Sequence, residues 1–506
     1  MERISGFRLA TGLFSAVAPK HATPVCYVVL PQHTRRAAST NTGNRRLHTT
    51  PPAAQDATLH LSSSAVPPAL SPTALAQSGL SATTMPPALS CLPLSQVLRT
   101  YLITSISSSP LLLRTSTRIL RSMLESRNPL LSIDRNPLLR SLLWHTFYRQ
   151  FCAGETPSQV ARVNAELRAQ GYSGVILEYA LEVLKDAEGA EASEEKDVGV
   201  WRRRMLETVA MASPGDFVGL KWSGMGPAAM RRMKEDREPS PAMEEAMHAL
   251  CAAAQERRTS LLPAAEETWS LSGFFNWTMK MQRVYNAAQK GGECVVYSTY
   301  QAYLKQTPET ISRHLTLARK ENFTLGLKLV RGAYLGSEDR ALIHPSIEAT
   351  HAAYDGIMAS LIQRESNSRI TTPRDSWPEI SVVLATHNAI SVQLAQKLRQ
   401  QQLARGVPLT QLSFAQLQGM ADEVSCTLIA AAKAAEEAAE KGASSGVKAV
   451  RERIYKCTTW GSMAECLNYL LRRAAENKDA AGRTQETRQA MRGEIGRRVR
   501  GVVGLA

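Results

Sequence analysis

Eight short apolar runs follow one another down the chain between Gly174 and Trp460: "GVILEYA", "DFVGLKWS", "TSLLPAAE", "ECVVYSTYQ", "TLGLKLVRGAY", "ISVVLATHN", "QLSFAQLQ" and "ERIYKCTTW". Helix-length amphipathic segments separate them. Parallel strands need crossovers of about a dozen residues or more, and strands buried on both faces read as continuous apolar runs. Eight such units therefore predict an α/β fold, a distorted (βα)8 barrel of the TIM type. In that architecture the site lies at the C-terminal ends of the strands. Polar residues fall there: Lys221, Gln301, Arg331, His387 and Asn388. The run "KLVRGAYLGSED" is read as a strand end lining a site, with Gly332 and Ala333 leaving room for a flat ligand to approach the backbone.

The remainder of the 506 residues is read as additions to that barrel. Residues 1–50 carry seven Arg and Lys against the single acid Glu2 and are rich in Ser and Thr. This is the composition of a mitochondrial presequence, disordered on its own. Residues 51–93 are Ser-, Thr-, Ala- and Pro-rich and read as a flexible connector. Helical periodicity begins at Leu94, so residues 94–170 are expected to form a helical arm and 171–500 the barrel. The formal charge of +15 owes six units to the first fifty residues. It does not describe a nucleic-acid surface, because bases and aromatics are not interleaved. Eight scattered cysteines without a C-x-x-C read as reduced thiols. No uninterrupted apolar stretch reaches spanning length, so any membrane contact is expected to be peripheral.

Motifs narrow the chemistry. "GMGPAA" satisfies a dinucleotide fingerprint superficially, but no second strand ending in an acid follows, and Pro227 reads instead as the start of a helix. No spacing supports a metal or a hydrolase. In "WGSMAECLNYLLRRAAENKDA" a helix from about Ser462 puts Tyr469, Arg472, Arg473 and Glu476 on one face. That face is either a carboxylate clamp, since guanidinium forks bind carboxylates bidentately, or a solvated stripe with an Arg–Glu pair.

Taken in order, "YSTYQAYLK", "GLKLVRGAYL", "VVLATHN", "FAQLQGM" and "YLLRRAAEN" resemble the mitochondrial proline dehydrogenases (proline oxidases), with a fungal-like character, from about Phe147 to Arg500. The resemblance implies noncovalent FAD at the strand ends and a last helix closing over the substrate. It implies that Gln301 bonds the flavin ring, that Lys328 lies near flavin N5, and that Val330, Gly332 and Ala333 line the cofactor. Thr386, His387, Asn388 and Glu476 would hold its phosphate and adenosine portion. Arg472 and Arg473 would bind the proline carboxylate, with Lys221 as the pocket lysine and Leu417, Tyr469 and Tyr334 walling the ring. The implied reaction is oxidation of L-proline to 1-pyrroline-5-carboxylate, with electrons passed to a quinone from the matrix side of the inner mitochondrial membrane. Functional coupling to 1-pyrroline-5-carboxylate dehydrogenase goes with it.

Two positions depart from the family pattern. "LLPAAEE" puts Ala264 where members commonly have an aspartate that would anchor the pocket lysine, leaving Glu266 or Glu267 as substitutes. Cys457 stands where a pocket tyrosine is usual, with Tyr455 as a neighbour that could swing in. A smaller residue at 457 enlarges the pocket and could admit hydroxyproline. The alternatives are therefore a hydroxyproline dehydrogenase or a flavin-binding barrel without activity.

Overall fold

The computed structural model describes residues 87–504 apart from 127, 134, 181–192, 289–293, 373–376, 442–449 and 477–480, together with the side chains of 438–441, 475–476 and 481–483. The presequence and most of the connector read from the sequence lie outside the described residues.

The described residues form nine strands: β1 (Cys152–Gly154), β2 (Gly174–Tyr179), β3 (Phe217–Leu220), β4 (Ser260–Pro263), β5 (Ser298–Gln301), β6 (Leu325–Val330), β7 (Ile380–Ala385), β8 (Gln411–Leu417) and β9 (Arg453–Trp460). The eight from β2 to β9 are the eight apolar runs of the sequence. They pair in parallel in the order β4-β3-β2-β9-β8-β7-β6-β5. The ends of that order meet as well: Leu261 N donates to Val295 O (2.6 Å) and Tyr297 N to Leu261 O (2.9 Å). The result is a nearly closed barrel. The short β1 pairs with the far end of β9, opposite Thr459 and Trp460, and was not foreseen.

Alternation along each strand sorts the core. Inward residues from seven segments, Ile176, Phe217, Leu262, Tyr297, Val383, Ala415 and Tyr455, fill the barrel interior. Outward residues such as Val175, Leu177, Leu327, Leu329, Val382 and Phe414 pack under the surrounding helices. The register Ile176↔Cys457↔Leu417 sets Cys457 level with the end of β8, on the inward face two residues beyond Tyr455.

Local signals explain the boundaries. Gly226 has φ +99° and Pro227 opens the helix Pro227–Lys234, so "GMGPAA" is a strand-to-helix turn. The acids Glu194, Glu195 and Asp197 stand in the first turn of the helix Glu194–Met211, where they suit the positive helix end. Two arm helices, Leu94–Ser107 and Pro110–Glu125, precede the barrel. Leu89, Leu92 and Val97 pack with Cys426 and Met491, joining the start of the arm to the barrel and to the C-terminal helix Ala481–Val502. Among the described residues seven cysteines are free thiols.

Candidate functional site

A cavity of about 1570 Å³ opens at the C-terminal ends of the strands. It exceeds the roughly 300–1,000 Å³ of an ordinary small-molecule site, which leaves room for a dinucleotide beside a small substrate. Lys221, Gln301, Lys328, Val330, Gly332, Ala333, Tyr334, Thr386, His387, Asn388, Leu417, Cys457, Tyr469 and Arg473 all line it. Arg472 is half-buried and outside that lining. Glu476 ends the closing helix Met463–Glu476, and its side chain lies outside the described residues.

Lys221 follows β3, and its Nζ lies 3.5 Å from Glu266 Oε1 and 3.5 Å from the Tyr334 hydroxyl. Of the two glutamates after β4, Glu266 is thus the one beside the lysine. Glu267 is buried and occupied elsewhere: its carboxylate accepts from Trp269 Nε1 (2.5 Å) and from Ser337 Oγ (2.5 Å). Glu338 accepts from Thr268 N (2.9 Å), so the loops after β4 and β6 are tied together twice. The Glu266 carbonyl also accepts from Gln301 Nε2 (2.8 Å), which fixes that amide.

Opposite these residues, Cys457 stands between Glu178 at the end of β2 and Lys328 on β6. Burial first, and then the Glu178 carboxylate, hold the Cys457 thiol well above its usual range, while Lys328 pulls the other way. The same burial and the same carboxylate hold the Tyr469 phenol high. Glu178 is a cavity residue that the sequence reading passed over. Its signal was present: one carboxylate at the end of the apolar run "GVILEYA". A Cβ at Gly219 would come within 2.4 Å of the Glu178 side chain, so the small residue on β3 makes room for it.

Tyr455 does not take the place of the missing phenol. Its ring packs edge-on against Phe217 and its hydroxyl donates to Gly215 O (3.2 Å), below the cavity floor. Gly332 needs its missing side chain for a second reason. Its φ is +143°, and a Cβ there would lie 2.4 Å from the Tyr303 ring, so the glycine also accommodates an aromatic neighbour while it lines the cavity.

The far end of the cavity is built for negative charge. Arg331 donates to Thr386 Oγ1 (2.7 Å), Ser391 Oγ (2.8 Å) and His351 Nδ1 (2.9 Å), and stacks 4.2 Å above the Tyr354 ring. Asn388 caps the helix Ala389–Ala404 by accepting from Ser391 N (2.9 Å), so "ATHN" ends a strand and starts a helix at once. His387 Nε2 accepts from Leu417 N (3.1 Å), which leaves the ring proton on Nδ1. A guanidinium beside a helix N-terminus is a ready anion site. The donor set suits the diphosphate of a dinucleotide, and FAD therefore fits the residues present. Arg331 was visible as a strand-end base, without a role.

The closing helix starts with a capping box. Glu465 Oε2 accepts from Ser462 N (2.8 Å), and Ser462 Oγ accepts from Glu465 N (3.3 Å). Met463, Cys466 and Leu467 anchor it in a cluster with Tyr148 and Leu143, and Tyr148 donates to Gly461 O (2.8 Å). This fixes the side that carries Tyr469 and Arg473, whose guanidinium carbon is 5.5 Å from the Tyr469 ring centre.

Known proteins resemble this chain in sequence and in fold. Residues 160–486 match the family described as proline dehydrogenase. Over 489 residues the chain is 26% identical to "Proline dehydrogenase 1, mitochondrial" of Arabidopsis thaliana, covering 86% of this chain and 89% of that protein. It is 27% identical over 427 residues to "Probable proline dehydrogenase, mitochondrial" of Schizosaccharomyces pombe, covering 73% and 82%. Among solved structures it is similar in fold to proline utilization A (PutA) from Bdellovibrio bacteriovorus, with a TM-score of 0.53 and 15% identity. That match covers 74% of this chain but only 38% of the longer protein. The relatives' names support a mitochondrial location, and the family is one of flavoenzymes. This chain belongs to the proline dehydrogenase family and is an enzyme acting on proline.

Proposed function

We propose that the enzyme oxidises L-proline to 1-pyrroline-5-carboxylate at this cavity, with FAD as its cofactor and a quinone as the onward electron acceptor, on the matrix side of the inner mitochondrial membrane. The observation that carries the reading is the meeting of Lys221, Lys328, Tyr469 and Arg473 in one cavity, drawn from two strand ends and the closing helix. Bound FAD supplies a two-electron acceptor. Gln301, Lys328, Val330, Gly332 and Ala333 would hold its ring, and Thr386, His387 and Asn388, with Arg331 beside them, its diphosphate. Glu476 would complete that set.

The chain's own residues orient the substrate. Arg473 on the closing helix and Lys221 across the cavity anchor the carboxylate by charge-assisted bonds, and Arg472, outside the lining, would have to turn inward to join them. Glu266 holds Lys221 in place. Leu417, Tyr469 and Tyr334 wall the ring and exclude water. Fixing one end of proline turns its C5–H toward the acceptor and removes much of the entropy of approach. Proline loses a hydride from C5 and a proton from nitrogen, and a C=N bond forms. The nitrogen must be unprotonated for its lone pair to drive the hydride out, so the rate of reduction rises with pH to a plateau. The product passes on functionally to 1-pyrroline-5-carboxylate dehydrogenase.

A hydroxylated substrate is the second reading. It is favoured by Cys457, a small side chain beside Glu178 and Lys328. The absorbance of the FAD-loaded enzyme without oxygen distinguishes the two. Bleaching on addition of L-proline supports the first reading, and bleaching only with hydroxyproline supports the second. A flavin that neither substrate bleaches would contradict both.

A further inference from the structure

Of the nineteen large apolar side chains exposed among the described residues, ten lie between Leu94 and Leu142, all of them leucine or isoleucine. On the first arm helix Leu94, Leu98 and Leu102 recur every four residues along one stripe. On the second, Leu111, Leu112 and Ile119 are exposed, while Leu120, Met123 and Leu124 on the adjoining stripe pack with Met463 and Leu467 of the closing helix. The turn and helix that follow expose Leu130, Leu131, Leu138 and Leu142, with Leu138 82% accessible. A helix apolar on both its packed and its open side needs a second apolar partner.

The charge says which. From Leu94 to Gln150 the sequence holds eight arginines against two acids, Glu125 and Asp134. Arg114, Arg118 and Arg121 form an exposed stripe alongside Leu111, at the i, i+4 and i+7 positions of the second arm helix. Outward leucines flanked by arginines, with hydroxyls such as Thr115 and Ser122 between, are the pattern of a helix lying in a lipid headgroup layer. Among the described residues no helix is long and apolar enough to cross a membrane.

We propose that the arm from Leu94 to Leu142 is a peripheral docking surface for an anionic lipid bilayer. The same arginines border the mouth of the cavity, so docking there turns the mouth toward the bilayer, where an apolar electron acceptor resides. That last consequence rests on the quinone reading above; the docking itself does not.

The test is sedimentation of the full chain with phosphatidylcholine vesicles, with and without phosphatidylglycerol, with no turnover involved. Because residues 1–50 are themselves basic, the full chain is compared with its own arm variants. Leu111→Gln/Leu112→Gln/Ile119→Gln should weaken binding at least about tenfold. Arg114→Gln/Arg118→Gln/Arg121→Gln should remove most of the preference for the anionic lipid and its salt sensitivity. Circular dichroism confirms that these exposed substitutions leave the fold intact. A wild-type chain that stays in the supernatant, or leucine variants that bind unchanged, would overturn the proposal. So would a wild-type dimer that the leucine variants convert to monomer without any effect on vesicles, which would assign the face to a second copy.

Discussion

Two residues decide how far this pocket departs from its family's pattern. Glu266 lies 3.5 Å from Lys221, whereas Glu267 ties down the neighbouring loop. Glu266→Gln should therefore lower kcat/KM for L-proline about tenfold, since a charge-assisted contact is worth roughly 1.5–3 kcal/mol, with little change in Tm. Glu267→Gln should do the reverse, lowering Tm more than it alters kcat/KM; paired kinetic and thermal measurements separate them. Cys457 is the second residue. Its thiol stays protonated beside Glu178, so it offers volume and a weak donor rather than a nucleophile. Cys457→Tyr should shift the kcat/KM ratio toward proline and away from hydroxyproline; a ratio that does not move would show that this position does not set ring preference. Neither answer was available from the sequence alone. "AAEE" presents two carboxylates one residue apart, and only the fold of the loop after β4 shows which one meets the lysine. The spacing Tyr455-x-Cys457 puts both side chains on one face, but the depth at which each sits depends on the register of β9 with β8.

At the scale of elements, the strands were legible because burial on both faces leaves a compositional mark. Polar residues at or just past the strand ends, such as Lys221, Gln301, Thr386, His387 and Asn388, bring most of the expected site residues into one cavity. Loops left no comparable mark. The segment from Leu417 to Asp422 at the cavity rim is held by a buried pair, Lys456 Nζ to Asp422 Oδ1 at 2.8 Å, with Lys456 also donating to Met420 O at 2.8 Å. Nothing in the spacing of residues 422 and 456 announces that contact. Breaking one partner of a buried pair typically costs about 3–5 kcal/mol. Asp422→Asn should accordingly lower stability by that order in urea unfolding and raise KM for proline, because Leu417 loses its support. The double variant Asp422→Asn/Lys456→Met should recover part of the stability. The short strand β1 escaped the sequence reading for a similar reason: three residues carry no period, and they pair only because β9 runs past the barrel rim.

For the whole molecule, the barrel and its family were written in the chain, while the arm's lipid-facing character emerged only when exposure could be read residue by residue. Its leucines look like core in the sequence; the structure leaves them uncovered. Stability of the whole fold also carries a pH signature. His314 is buried against Tyr300, whose hydroxyl lies 2.7 Å from its Nδ1, and burial, helped by Arg313 and Arg283, pushes its pKa down to about 3. Between about 6.5 and 3 the unfolded chain holds a proton on this side chain that the folded chain lacks. Its contribution is therefore complete above about 6.5 and is lost as the pH falls toward 3. His314→Gln should flatten the acid side of a Tm-against-pH curve relative to wild type. Above all, the closing helix holds proline at the mouth of the barrel. That hold is tested most directly by titrating the FAD-loaded Arg473→Lys enzyme with L-proline without oxygen and following flavin reduction. Lys keeps the charge but loses the fork. The apparent Kd for proline should rise at least about tenfold with flavin content unchanged, and an unchanged Kd would contradict the account.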